Sequence, residues 1–271
     1  MLEQTKISFI GGGNMAEAII NGLISQQAVE PLALYVSDIS EERCAYLSAK
    51  YDINITADNT EAIEEGDIII LAIKPQNFAG FSAGIPPIAA NKLVISILAG
   101  IPTHKIESTL GTGIRVVRVM PNTPALIGHG MAGIAAGKNA SGFDIDTTQF
   151  IFNQLGKTVV VDESSMDAIT GISGSGPAYV FYFVEALCNA AVSLGMTEDQ
   201  AATLVLQTFK GSIELLISSQ ENPASLRAKV TSKGGTTERG IGVLESYNIR
   251  SIFREAVTAA ANRSKELSAN A

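Results

Sequence analysis

The stretch "ISFIGGGNMAEAIINGL", residues 7–23, constrains this chain more than any other part of it. An apolar run ends in three glycines and passes at once into an amphipathic segment, so strand, tight turn and helix follow one another without a break. Gly11, Gly13 and Ala16 stand in GxGxxA spacing. Gly11 permits the sharp turn, Gly13 lets the backbone approach a diphosphate, and Ala16 lets helix and strand pack closely. Helix amides and the helix dipole at that turn favour an anion, and the pattern predicts a dinucleotide site.

A second residue supports this. Asp38, in "LYVSDIS", closes the next apolar run, 22 residues beyond Ala16, where a carboxylate would accept from a ribose hydroxyl. Its charge favours NADH. Ser37 and Ser40 could instead bond a 2′-phosphate, with Arg43 nearby, although Arg43 reads first as an exposed helix residue. The choice between NADH and NADPH stays open on these residues.

From 6 to about 161 short apolar runs alternate with helical stretches, which predicts an α/β Rossmann-like domain with a mostly parallel sheet. Strands are expected at 6–10, 32–36, 67–73, 93–98, 114–120, 131–136 and 157–161, and their continuous apolar character suggests burial on both faces. Helices are expected at 13–26 and 40–51, among others. After "VDESSMD" the texture turns almost wholly helical through 268. The expected division is therefore a dinucleotide-binding domain over 1–162 and an all-α domain for dimerisation and substrate binding over 163–271. The helical part is short and very apolar for a free-standing domain, which points to packing against a partner chain.

Ligands of such sheets bind beyond the carboxyl ends of the strands. The segments there are "AIKPQN", "AGIP" and "PNTPA". Lys74 could act as a base, but a lysine before proline in a loop reads more simply as a solvated or phosphate-proximal group. Pro121 and Pro124 stiffen their loop, while Asn122 and Thr123 could satisfy backbone groups or a bound ring. His104 and His129 lack partners at ligand spacing, and no metal site is expected.

Composition removes other classes. A net charge of −8 disfavours nucleic acid and acidic lipid as partners. Cys44 and Cys188 read as buried thiols. The apolar stretch 178–196 carries a central Glu185 and Asn189 and is followed by "TEDQ", so a buried helix suits it better than a membrane span. The beginning "MLEQTK" shows no basic and apolar leader, and a cytoplasmic protein is expected.

The segments "FIGGGNMAEAI", "MPNTPA", "AITGISGSGPAYVFYFVEAL" and "VTSKGGTT" occur in that order. Together they resemble the pyrroline-5-carboxylate reductases over essentially the whole chain. That resemblance implies NADPH- or NADH-dependent reduction of the cyclic imine 1-pyrroline-5-carboxylate to L-proline, the last step of proline biosynthesis. It implies a homodimer with interlocked helical domains, which can form larger rings such as a decamer. It also implies nucleotide contacts at Gly11, Gly13, Asn14 and Met15, with Ser37 near the ribose, Lys74 and Pro75 along the cofactor and Ala99 near the nicotinamide. Substrate carboxylate contacts would come from Ser232, Gly235, Thr236 and Thr237, and Thr170 would bond the ring nitrogen. Many family members have proline where this chain has Lys233, which bears on substrate affinity more than on identity.

The late loop is legible in physical terms as well. Gly234 and Gly235 let amides converge at a helix start, which suits a small carboxylate. Imine reduction needs a hydride donor and a held substrate rather than a strong acid or nucleophile, and the sequence offers none. A β-hydroxyacid dehydrogenase or a related imine reductase is the nearest alternative, but the dehydrogenases need a lysine on the interdomain helix, and 177–195 contains none. A nucleotide sensor that binds a protein partner is the other, and it leaves the "GGTT" loop without a purpose.

Overall fold

The computed structural model describes Leu2 and residues 4–269, without the side chain of residue 269; Met1 and Glu3 of the N-terminal stretch lie outside the described residues. Eight strands form one sheet: β1 Ile7–Ile10, β2 Leu34–Ser37, β3 Asn54–Thr56, β4 Ile68–Leu71, β5 Leu93–Ser96, β6 Arg115–Met120, β7 Gly130–Ala136 and β8 Gly156–Val160. Their order is β3-β2-β1-β4-β5-β6-β7-β8, and every pair is parallel except β6 with β7. The first half of the helices comprises α1 Asn14–Ser25, α2 Glu41–Tyr51, α3 Asn59–Glu65, α4 Phe78–Ala83, α5 Thr103–Leu110 and α6 Gly142–Asn153. The second comprises α7 Met166–Ile169, α8 Gly176–Ser193, α9 Glu198–Ser219, α10 Pro223–Lys229, α11 Thr236–Ser246 and α12 Ile249–Ala269.

The continuous apolar runs have the expected cause. Successive side chains of a strand point to opposite faces, and here each face has its own core. Ile7, Phe9, Ile68 and Ile70 enter one apolar cluster, while Ile10, Ile69 and Leu71 enter the other. The run at the far edge behaves differently: in β8, Val159 and Val160 are 36% and 47% exposed. A strand at the sheet's edge has one neighbour and less cover, so burial on both faces fails there. β3 went unforeseen because three half-buried residues, Asn54–Thr56, carry almost no periodic signal. Asn54 instead bonds the Leu32 and Leu34 carbonyls at 2.7 and 3.3 Å and ties the strand to β2.

Two compact units result, one made of residues up to Ser175 together with those from Thr258 onward, the other Gly176–Val257. Within the second unit Ala201 and Val205 are the buried residues. Phe181, Tyr182, Leu206 and Ile217 are all more than half exposed. So many large apolar side chains in water mark a surface made to be covered. Among the described residues, no helix is long and apolar enough to cross a membrane, the 178–196 stretch included.

Candidate active site

The strand order reverses at β1: the chain moves from it to β2 on one side, and later to β4 on the other. That reversal opens a crevice beyond the carboxyl ends of the strands. A cleft of about 680 Å³ lies there, and Gly11, Gly13, Ser37, Asp38, Asn59 and Lys74 are on its wall.

Each glycine of the loop has a separate reason. Gly11 adopts φ +97°, and an added Cβ would sit 2.9 Å from the Ala72 carbonyl oxygen. At Gly12 a Cβ would meet Leu47 Cδ1 at 2.9 Å, a packing constraint from α2. At Gly13 it would meet no described atom within 4 Å. Protein packing therefore does not require glycine at 13, whereas close approach of a ligand would. Gly13 is also the N-cap of α1 and supplies no side-chain acceptor, so the first-turn amides stay available to a diphosphate. The cleft fits a dinucleotide on these grounds, and Asn14 and Met15 supply the first of those amides.

Around the loop the structure engages residues that the sequence left open. Asp38 accepts from the Gly12 amide at 2.7 Å and from the Ser40 amide at 2.9 Å. Ser37 is buried and donates to Asn59 Oδ1 at 2.7 Å. Arg43 is not the exposed helix residue expected: its Nε donates to the Gly12 carbonyl and its Nη2 to Glu17. Helix α2 packs close enough beneath the loop to turn that side chain inward. Lys74 is exposed beyond β4, and Pro75 begins a short 3₁₀ turn after it. Ala99 is half-buried in the turn after β5 and is not on the wall of the cleft. Asn59 was missed, since it looks like the first residue of a short polar helix. His104 and His129 are exposed, and no metal-ligating cluster occurs among the described residues. Cys44 is buried, but Cys188 is only half-buried.

Glu17 braces this side of the loop. Burial alone would raise its pKa, but hydrogen bonds from Lys50, Arg43, Tyr46 and Tyr51 outweigh that and lower it to about 2. Lys50 also lies over the Tyr46 and Tyr51 rings. The unfolded chain binds a proton at Glu17 at higher pH than the folded one does, so this contribution is complete above about pH 4.5 and is lost as pH falls toward 2. Glu17→Gln is expected to lower stability at pH 7 by about 1–3 kcal/mol, and to flatten the loss of stability between those two pH values. Urea midpoints measured across that range check both effects.

Thr170 begins a π-helical turn, Thr170–Gly174, closed by the Ser175 amide on the Thr170 carbonyl at 2.8 Å. Such turns recur at functional sites. Its hydroxyl donates to the Met166 carbonyl at 2.8 Å, and its lone pairs remain available. Asn122 fastens the turn, donating to the Ser173 carbonyl at 3.0 Å and accepting from the Met131 amide at 2.9 Å. The backbone alternative considered for Asn122 is the one realised.

In the other unit, α11 also starts on a glycine, Gly235, without a side-chain cap. The amides of the two glycines are already engaged: Gly235 donates to the Ser232 carbonyl at 3.0 Å and Gly234 to Glu238 Oε2 at 2.7 Å. Gly234, at φ +74°, makes the turn. At Gly235 a Cβ would press on Ser232 Oγ at 2.6 Å. The anion-facing amides at this helix start are therefore those of its first turn, beginning at Thr236 and Thr237. Ser232, Thr236 and Thr237 are exposed within the single chain.

The family description "Pyrroline-5-carboxylate reductase dimerisation" matches residues 163–267. A relative named pyrroline-5-carboxylate reductase from Methanosarcina acetivorans is 43% identical over 267 residues, 98% of this chain and 99% of its own. The chain belongs to the pyrroline-5-carboxylate reductase family. A Synechocystis relative of the same name is 42% identical over 97% of this chain and 98% of its own. The description "NADP oxidoreductase coenzyme F420-dependent" matches residues 6–100, the part of the chain that carries the glycine loop. A solved pyrroline carboxylate reductase of Plasmodium falciparum, with NADP bound, superposes with a TM-score of 0.89 at 33% identity, covering 98% of each chain. An Aspergillus terreus imine reductase, at 18% identity and a TM-score of 0.57, shares the fold alone.

Proposed function

We propose that this chain reduces 1-pyrroline-5-carboxylate to L-proline with NADPH or NADH, the last step of proline biosynthesis. The observation that carries the reading is the uncapped, glycine-initiated α1 opening on the cleft, in a chain of this family. Residues 1–162 hold the dinucleotide and 163–271 provide the dimer and substrate contacts. Gly11 shapes the turn, and Gly13, Asn14 and Met15 meet the diphosphate. Ser37 and Asp38 face the adenosine ribose; Lys74, Pro75 and Ala99 follow the cofactor toward the nicotinamide. When bound, the cofactor supplies a hydride to the imine carbon.

Ser232, Thr236 and Thr237 receive the substrate carboxylate at the positive end of α11, while Gly235, its amide held by the Ser232 carbonyl, shapes the start of that helix. Thr170, whose proton is engaged by Met166, accepts the N–H of the protonated ring nitrogen and so orients the electrophile. The exposed apolar side chains of 176–257 support a homodimer, which can assemble further into rings such as a decamer. The two free cysteines suit a reducing cytoplasm.

A spectrophotometric assay with fresh pyrroline-5-carboxylate, both reduced cofactors and a panel of five- and six-membered cyclic imino acids tests the proposal. Cofactor oxidation is expected with the five-membered imine. No oxidation of either cofactor would overturn the reading.

A further inference from the structure

We infer that Asp38 makes this site select NADH over NADPH. The inference rests on the reading of the cleft as a nicotinamide-dinucleotide site and goes beyond it to the residue that chooses between the two cofactors. Asp38 is the first residue after β2 and stands on the wall of the cleft. Two backbone donors from separate elements fix its carboxylate, the Gly12 amide at 2.7 Å and the Ser40 amide at 2.9 Å. Each oxygen keeps a further lone-pair direction. Ribose hydroxyls can donate into those directions. A 2′-phosphate brings roughly two negative charges at neutral pH and little or no hydrogen to share, so it meets a fixed charge of its own sign.

The surroundings do not offset that charge. Glu41 and Glu42 follow in the first turn of α2. Arg43, the cation nearest in sequence, is held by the Gly12 carbonyl and by Glu17, and Lys50 is on Glu17 as well. Of the two serines considered for a phosphate contact, Ser37 is buried with its proton on Asn59, and Ser40 caps α2, its hydroxyl oxygen accepting from the Arg43 amide at 3.2 Å, and is not on the cleft wall. Lys74 is the one cation among the described residues on the cleft wall. It follows β4, and the order β2-β1-β4 puts it across the glycine loop from Asp38. From that side it serves the diphosphate, which both cofactors share.

Calorimetric titration with NADH and with NADPH, in the absence of imine, tests this on the wild-type protein and on Asp38→Asn, Asp38→Ser and Lys74→Ala. The wild type is expected to bind NADPH at least about tenfold more weakly than NADH. Both Asp38 substitutions should shrink that ratio by about tenfold, whatever they do to overall stability, because the ratio compares two ligands on one preparation. Lys74→Ala should weaken both cofactors in equal proportion. Equal or tighter binding of NADPH by the wild type would overturn the inference, as would a ratio that the Asp38 substitutions leave unchanged. If neither dinucleotide binds the wild type, the reading of the cleft falls and this inference with it, whereas binding with the wrong ratio refutes the selectivity alone.

Discussion

Thr170→Ala is expected to lower kcat for the cyclic imine by roughly 100-fold, the scale of a misplaced reactant. Dinucleotide affinity should stay within about twofold of wild type, because removing uniform binding and removing orientation leave different kinetic signatures. The physical basis is the direction of one hydrogen bond. The hydroxyl gives its proton to the Met166 carbonyl at 2.8 Å, so toward the substrate it presents lone pairs. A protonated ring nitrogen is a donor, and the two are complementary. The π-helical turn that starts at Thr170 is held by Asn122 through the Ser173 carbonyl, which fixes the oxygen. Thr170→Ser keeps the oxygen and should recover most of the rate. Steady-state kinetics with a parallel titration of cofactor check the result; unchanged turnover in the alanine variant would refute the role.

The second large effect is expected at Gly13. Replacement by valine should weaken dinucleotide binding by more than about 100-fold, close to 3 kcal/mol, while unfolding stability falls by no more than about 1 kcal/mol. A Cβ at this position would meet no described atom within 4 Å, and φ −65° suits any residue. Its methyl groups would occupy the space that a diphosphate needs. Gly11→Ala should behave in the opposite order, damaging stability first, since its φ of +97° and the Ala72 carbonyl 2.9 Å away are constraints of the fold itself. Calorimetric titration and urea unfolding of the two variants separate the effects. Equal losses of stability at both positions would show that Gly13 serves packing and not a ligand.

Much of this was legible because the determining signals are local. An apolar run with glycines at fixed spacing specifies strand, turn and helix within seventeen residues, and Gly11 and Gly13 occupy the cleft wall as that pattern requires. Asp38 was placed correctly at the end of β2 for the same reason. The partly exposed edge strand β8 misled, because a short run ending in valines carries no mark of which face will find a neighbour. Asn59 escaped because its importance comes from Ser37, 22 residues earlier, and nothing local announces that bond.

The sequence by itself determined the α/β order of the first part, the helical character of the second, the glycine turns at both ends and the family. These follow from backbone preference and periodicity, which act over a few residues. Tertiary structure alone decided that the Asp38 carboxylate is fixed by the Gly12 amide, that Arg43 is drawn to Glu17 and away from the cleft, and that Asn122 holds the turn of Thr170. Each of those joins residues 26 to 51 positions apart. A polar side chain forms such a bond only where packing brings a partner within about 3 Å, and the sheet's strand order, not local preference, sets which partners arrive.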